Sequence, residues 1–309
     1  DHTEWLGETE AEIAGEKLAV LREGSCLVIG ELSTAVQDLA RRTATGLGAR
    51  VVMTEFSRVD EVPMATSGDF QRRNFAIALT ATEVLVGEVS DEKLERVAAE
   101  IIIPGRLEQV GDRPPVFLDV AHNRPGAAAL ADSLPEVAED LPVIGCFGIL
   151  ADKDGPGMLA ELAPVLDHLV LADMPNSALE GRARPGATAF DSAIPMENAL
   201  DLGMECELVA APAEALARAR ELAAERGGMV LIAGSHYLVD TMGLWAANRQ
   251  RVSRPRSECP GYAGLCDHCG VNRSAGSQLL SMMALVAAVV AIVILVFFGI
   301  GYLFGRMFL

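Results

Sequence analysis

Between residues 104 and 245, short apolar runs alternate with helical stretches, and this pattern constrains the fold more than any other feature of the chain. Strands are expected at 116–118, 143–147, 169–172, 207–209 and 229–233, with helices at 126–133, 155–166, 213–225 and 238–245. Strands separated by single helices pair in parallel, because each crossover carries the chain back to the starting edge with a right-handed turn. The expected architecture is therefore α/β, with a Rossmann-like, mostly parallel sheet. In such sheets ligands gather beyond the carboxyl ends of the strands, so polar turns there are the first candidates for a site. Upstream, residues 8–22 read as a helix bearing Lys17, and 26–30 and 51–56 as short β runs around a helix over 34–45 that Gly46 and Gly48 close. Residues 54–67 read as irregular, and 70–86 and 91–99 as helices.

A length of 309 residues leaves room for about two domains. The net charge of −18 argues against nucleic acid as a partner, since phosphate contacts need clustered Lys and Arg. The acidic stretches 91–100 and 214–225 read as solvated helix faces. No G-x-G-x-x-G follows a strand, so a dinucleotide is not indicated, and no G-x-S-x-G elbow supports a serine hydrolase.

Candidate site residues fall in six segments, the first running from His2 to Lys17. His2 offers an imidazole to a divalent cation, whereas Lys17 could help hold Mg²⁺ only if its charge were inverted. The bland alternative makes His2 a helix-entry residue and Lys17 a solvated one. Gln71-Arg72-Arg73-Asn74 lies on a helix. In Pro104-Gly105-Arg106-Leu107-Glu108, a guanidinium fork could neutralise phosphate bidentately. Val116-Phe117-Leu118-Asp119-Val120-Ala121-His122-Asn123 is an apolar strand running into a polar turn. Gly148 through Asp154 and Gly234-Ser235-His236-Tyr237-Leu238-Val239 follow two later strands. Singly, Asp152 and Lys153 read as a helix cap and a solvated charge, His236 as a surface or packing residue, and His168 as structural.

In this order the segments resemble the folylpolyglutamate synthase/dihydrofolate synthase family of Mur-type ligases, whose motifs include DH-x-x-x-LG, an EKAGI-like lysine segment, PGRLE, D-x-AHNP, G-x-x-x-DKD and GSLYLV. Glu16-Lys17-Leu18-Ala19-Val20 lacks the glycine of the lysine segment, and Arg124 stands before Pro125 where the family has proline directly after asparagine. The resemblance implies part of a central ATPase domain over 1–103 and a C-terminal glutamate ligase domain over 104–247. It implies an ATP-dependent ligase that joins L-glutamate to folate, or to dihydropteroate, through an acyl phosphate, with a monomeric soluble part. His2 and a carbamylated Lys17 would hold Mg²⁺. Gln71 and Asn74 would meet the adenine, Arg106, Asp119 and His122 the nucleotide, with Asp119, His122 and Lys17 on the catalytic side and Ser235 in the binding set. The family's P-loop, G-x-x-x-x-G-K-[ST], occurs nowhere in the chain. The expectation is a partial sequence lacking the first half of the ATPase domain, with a degenerate pseudoenzyme as the second reading. Another Mur-type amide ligase acting on a cell-wall precursor, and a tail-anchored pseudoligase serving as a binding module, are the alternative functions.

The last 60 residues depart from that family. Residues 248–278 read as a polar, arginine-bearing linker, and 279–304 as a run without formal charge, long enough to cross a hydrocarbon core about 30 Å thick. Arg249, Arg251, Arg254, Arg256 and Arg273 precede the span and only Arg306 follows, so the positive-inside rule places the bulk of the chain in the cytoplasm, anchored to the membrane. In the linker, Cys259, Cys266, His268 and Cys269 could supply four Zn²⁺ ligands, although only Cys266 and Cys269 have the C-x-x-C spacing. A solvated linker is the alternative. Cys26, Cys146 and Cys206 are isolated in or beside apolar segments and read as ordinary buried thiols.

Overall fold

In a computed structural model, the structure describes residues 6–174, 176, 188, 193–242 and 244. Contacts group residues 1–252 as one compact unit, which holds all of the described residues. His2, the four linker ligands and the 279–304 run all lie outside the described residues. Among the described residues, no helix is long and apolar enough to cross a membrane.

The first part of the chain builds a small layered body. Helix α1 (Glu10–Leu18) opens on a capping box, in which Thr9 accepts from the Glu12 backbone and the Glu12 carboxylate accepts from the Thr9 backbone. Strands β1 (Cys26–Ile29) and β2 (Arg50–Met53) pair in parallel around α2 (Thr34–Gly46). Beyond a 3₁₀ turn at Ser57–Val59 come α3 (Asp69–Val86) and α4 (Asp91–Glu100). Two small apolar clusters hold these pieces, one under α1 and β1, the other between α3 and α4.

The second part is a six-stranded sheet. Its strands are β3 (Glu108–Asp112), β4 (Pro115–Leu118), β5 (Val143–Phe147), β6 (His168–Ala172), β7 (Cys206–Val209) and β8 (Met229–Ala233), ordered β3-β4-β8-β5-β6-β7. All neighbours are parallel except β3 and β4. Helices α5 (Arg124–Ala138), α6 (Gly155–Leu162), α7 (Ala193–Asp201), α8 (Pro212–Arg226) and α9 (His236–Thr241) complete it. Two apolar clusters line opposite faces, one with Leu130, Leu134, Met158 and Leu159, the other with Leu216, Ala219, Leu222 and Ala223. Covering both faces is what allows β5 and β8 to be free of polar side chains throughout, and β6 at every position after His168.

Several boundaries differ from the sequence-based expectation. The antiparallel β3 was not expected, because Glu108-Gln109-Val110-Gly111-Asp112 is polar and bulged between Gln109 and Gly111, as suits an exposed edge. The helix expected to reach 166 stops at Leu162 and gives way to a 3₁₀ turn containing Pro164, which has no N–H to continue the ladder. Helix α5 runs past 133 to Ala138 with Pro135 inside it, and α7 was not foreseen. The β run expected over 51–56 is limited to Arg50–Met53. Of the three isolated cysteines, only Cys146 is fully buried, which pushes its thiol up to about 12; Cys26 and Cys206 are half-buried.

Candidate active site at the carboxyl ends of the large sheet

The turns after β4 and β8, which are adjacent parallel strands, are tied together by their backbones. Asp119 N–H donates to Ile232 at 2.9 Å, and Gly234 N–H donates to Ala121 at 3.1 Å. Gly234 has φ +114, and a Cβ there would stand 2.4 Å from the Gly148 carbonyl oxygen, so the exit from β5 closes against the exit from β8 only because no side chain intervenes.

Asp119 organises this end of the sheet. It is 2% exposed, and its carboxylate accepts from the Ala121 N–H at 2.7 Å and the Leu107 N–H at 2.9 Å. Burial raises the Asp119 carboxyl above the usual aspartate range, against the pull of the two N–H donors and the nearby Arg106 and His122. Leu107 has φ +45, a left-handed backbone that costs a branched residue about 1–2 kcal/mol. The Asp119 bond, a Val120 N–H bond to Gly105 at 2.9 Å and the Glu108 carboxylate on the Gly105 N–H at 2.8 Å hold the turn in that shape. Arg106 sits at the centre of this braced turn, half-buried and within the electrostatic reach of Asp119.

His122 is half-buried, with Nδ1 3.0 Å from the Val120 carbonyl oxygen. Asn123 caps α5 by accepting from Gly126 N–H at 2.8 Å, with Pro125 in the first turn, where an absent N–H costs nothing. Arg124 is thus accommodated as the first helical residue, and it pairs with Glu161 at 2.7 Å. Ser235 is 4% exposed and caps α9 by accepting from Tyr237 N–H at 3.2 Å, while His236 is exposed beside it. Partial burial, together with the nearby His122, lowers the His236 imidazole below its ordinary value, with Asp240 opposing. Lys153 Nζ lies 3.3 Å from the Asp152 carboxylate, and Asp154 caps α6 through Gly157 N–H.

The structure thus brings Arg106, Asp119, His122 and Ser235 to one end of the sheet and adds His236. The remaining expected residues lie on other elements. Gln71 is 2% exposed on α3, and its Nε2 has no hydrogen-bond partner, while its Oε1 accepts from the exposed Asn74 at 3.4 Å. Lys17 is exposed on α1. Among the described residues there is no group of three or more His, Cys, Asp or Glu side chains able to hold a metal. His168, at the start of β6, lies away from the site with Nδ1 3.4 Å from Glu205, which Arg226 binds at 2.7 Å.

Residues 105–236 match the family model described as Mur ligase, glutamate ligase domain. The mostly parallel sheet is shared with solved structures of such ligases. Folylpolyglutamate synthase of Mycobacterium tuberculosis complexed with ADP superposes with a TM-score of 0.65 at 24% identity, over 81% of this chain and 61% of that one. FolC of Escherichia coli, in complex with DHPP and ADP, gives 0.65 at 26% identity over 81% and 60%. In sequence, the chain is 29% identical over 243 residues to the dihydrofolate synthase/folylpolyglutamate synthase of M. tuberculosis, covering 65% of this chain and 50% of the relative. The chain spans about half the length of the curated relatives it matches.

Proposed function

We propose that this chain is the part of an ATP-dependent folate:glutamate ligase that presents the amino-acid side of the reaction and one side of the nucleotide. The observation that carries the reading is the backbone-joined pair of turns after β4 and β8, which sets a buried carboxylate, a guanidinium, two imidazoles and a serine on one rim. The similar enzymes named above, one of them complexed with ADP and one with both DHPP and ADP, support a nucleotide and a folate-type acceptor as ligands.

In the proposed reaction, a folate carboxylate oxygen attacks the γ-phosphorus of ATP and ADP leaves. The amino group of L-glutamate then attacks the acyl phosphate carbonyl, forming the amide as phosphate leaves and the amine gives up a proton. Arg106, with its backbone fixed by Asp119, neutralises phosphate charge without having to be reorganised. The orphan Nε2 of Gln71 is a buried donor that lacks an acceptor, and a glutamine amide matches the donor and acceptor edge of adenine. Asn74 lies on the adjoining turn. Mg²⁺ would offset charge on the transferring phosphoryl group; an exposed Lys17, once carbamylated, becomes an oxygen donor suited to it, with His2 as the second expected ligand. Residues 279–304 would hold the ligase at the cytoplasmic face of a membrane, and Cys259, Cys266, His268 and Cys269 would bind Zn²⁺ in the linker; both readings are carried by the sequence pattern.

Calorimetric titration of the chain with Mg–ADP tests the nucleotide side. Arg106→Ala should weaken binding about 10–100-fold, the worth of a charged hydrogen bond, with little change in melting temperature. Equal ADP affinity in the variant would move Arg106 out of the nucleotide site.

A further inference from the structure

A glutamine amide can select a base only if its helix is held still, and α3 makes no side-chain cap of its own. Its N-cap is Gly68, which has no side chain to offer. The group at that end comes instead from α5, where the Glu136 carboxylate accepts from the Gly68 N–H at 2.9 Å. A carboxylate there also suits the positive end of the helix dipole. The connection runs on into the residue that faces the base, because the Gly68 carbonyl accepts from the Gln71 N–H at 2.9 Å. Two hydrogen bonds therefore separate Glu136 from the backbone of Gln71. At the side chain, Gln71 Oε1 accepts from Asn74 at 3.4 Å, so the amide presents its buried, unpartnered Nε2. Close packing leaves little play at this joint: Gly68 is buried, and a Cβ on it would stand 3.2 Å from Ser133 of α5. Helix α5 itself starts just after His122 and Asn123, on the rim at the carboxyl ends of the large sheet.

We propose that Glu136 is a positioning residue for the nucleotide base: it holds the first turn of α3 against α5, and so sets where the Gln71 amide meets adenine. The inference rests on the ligase reading, in which Gln71 faces the base, and adds the residue that aims it. Glu136 acts through Gly68 and Gln71 and touches no ligand itself. Hydrogen bonds weaken steeply with misalignment, so a small shift of this turn costs base affinity. Glu136 is exposed, so its replacement opens no cavity in the apolar core.

The experiment is calorimetric titration of the full chain with Mg–ADP and, separately, with Mg–GDP. Wild type is compared with Gln71→Ala, Glu136→Ala, Glu136→Gln and the double variant Gln71→Ala/Glu136→Ala, with melting temperatures recorded alongside. Adenine offers the donor and acceptor edge that a glutamine amide matches, whereas guanine offers two acceptors there. Both single alanine variants should lose Mg–ADP affinity by about 3–10-fold, the worth of one hydrogen bond, and lose less for Mg–GDP. Glu136→Gln keeps an acceptor oxygen and should retain most of the affinity. In the double variant the two losses should not add, because Glu136 acts only through Gln71. Wild-type Mg–ADP affinity in Glu136→Ala, with Gln71→Ala weakened, would overturn the inference and leave the ligase reading standing. Losses that add in the double variant, or that fall equally on Mg–ADP and Mg–GDP, would overturn the positioning role and leave Glu136 a purely structural contact. Wild-type affinity in Gln71→Ala would remove Gln71 from the base and the inference with it. Failure of the wild-type chain to bind Mg–ADP would overturn the inference and the ligase reading together.

Discussion

Asp119 shows how one side chain can serve structure and site at once. A buried carboxylate is costly unless its oxygens are used, and here both are committed to the backbone N–H groups of Leu107 and Ala121. Asp119→Ala would leave those two donors without partners and release the left-handed Leu107, so a loss of about 2–4 kcal/mol is expected in urea unfolding. Asp119→Asn keeps one acceptor and should cost less. Because the folded carboxyl is raised, its protonated form favours folding. That contribution is complete below the unfolded value of 3.8 and is lost as pH rises through the folded value, so the gap between wild type and the less stable, non-titrating Asp119→Asn should widen on acidification. A constant gap from pH 7 to pH 4 would show that Asp119 titrates alike in both states. The residue types at this end were legible, since Asp119, His122 and Arg106 sit in turns beside strand ends. The left-handed Leu107 was not, because a leucine gives no local signal for a conformation that only the distant Asp119 sustains.

At the scale of elements, α3 and α5 join the two parts of the first compact unit. Gly68, just before α3, donates its N–H to Glu136 of α5 at 2.9 Å, and Phe70 packs against the apolar cluster under α5. Gly68 has φ +95, and a Cβ there would lie 2.8 Å from the Phe70 ring and 3.2 Å from Ser133 Cβ. Gly68→Ala combines backbone strain with that overlap and should destabilise by about 1–3 kcal/mol, with Glu136→Ala costing less. Both should raise protease sensitivity in the segment before Asp69. Melting within 1 °C of wild type in Gly68→Ala would mean that α3 is held by other contacts. The apolar strands β5, β6 and β8 could be read from sequence because burial on both faces leaves a continuous apolar run. The docking of α3 could not, because it depends on a glycine and a carboxylate 68 residues apart whose pairing has no local periodicity.

At the scale of the whole molecule, the two sheets differ in how far they can stand alone. The large sheet is covered on both faces and its central strands β5, β6 and β8 are buried throughout. By contrast, β1 and β2 form an isolated parallel pair with no fully buried residue except Ile29, and parallel pairs are ordinarily found within larger covered sheets. Large apolar side chains remain in solvent on the same part, with Leu85 83%, Val20 75% and Val86 74% exposed. Local opening should therefore be easier over residues 10–100 than over 105–236, because fewer buried contacts oppose it. Limited proteolysis of the full chain with thermolysin, followed by mass spectrometry, should leave a resistant fragment that begins near Pro104 and retains the six-stranded sheet. Hydrogen exchange should show the same order, with the amides of β5 and β8 protected longest and those of β1 and β2 exchanging first. Cleavage of both regions at the same rate would mean that the docking of α3 on α5 makes them a single cooperative unit, and the two parts would then have no separate stabilities.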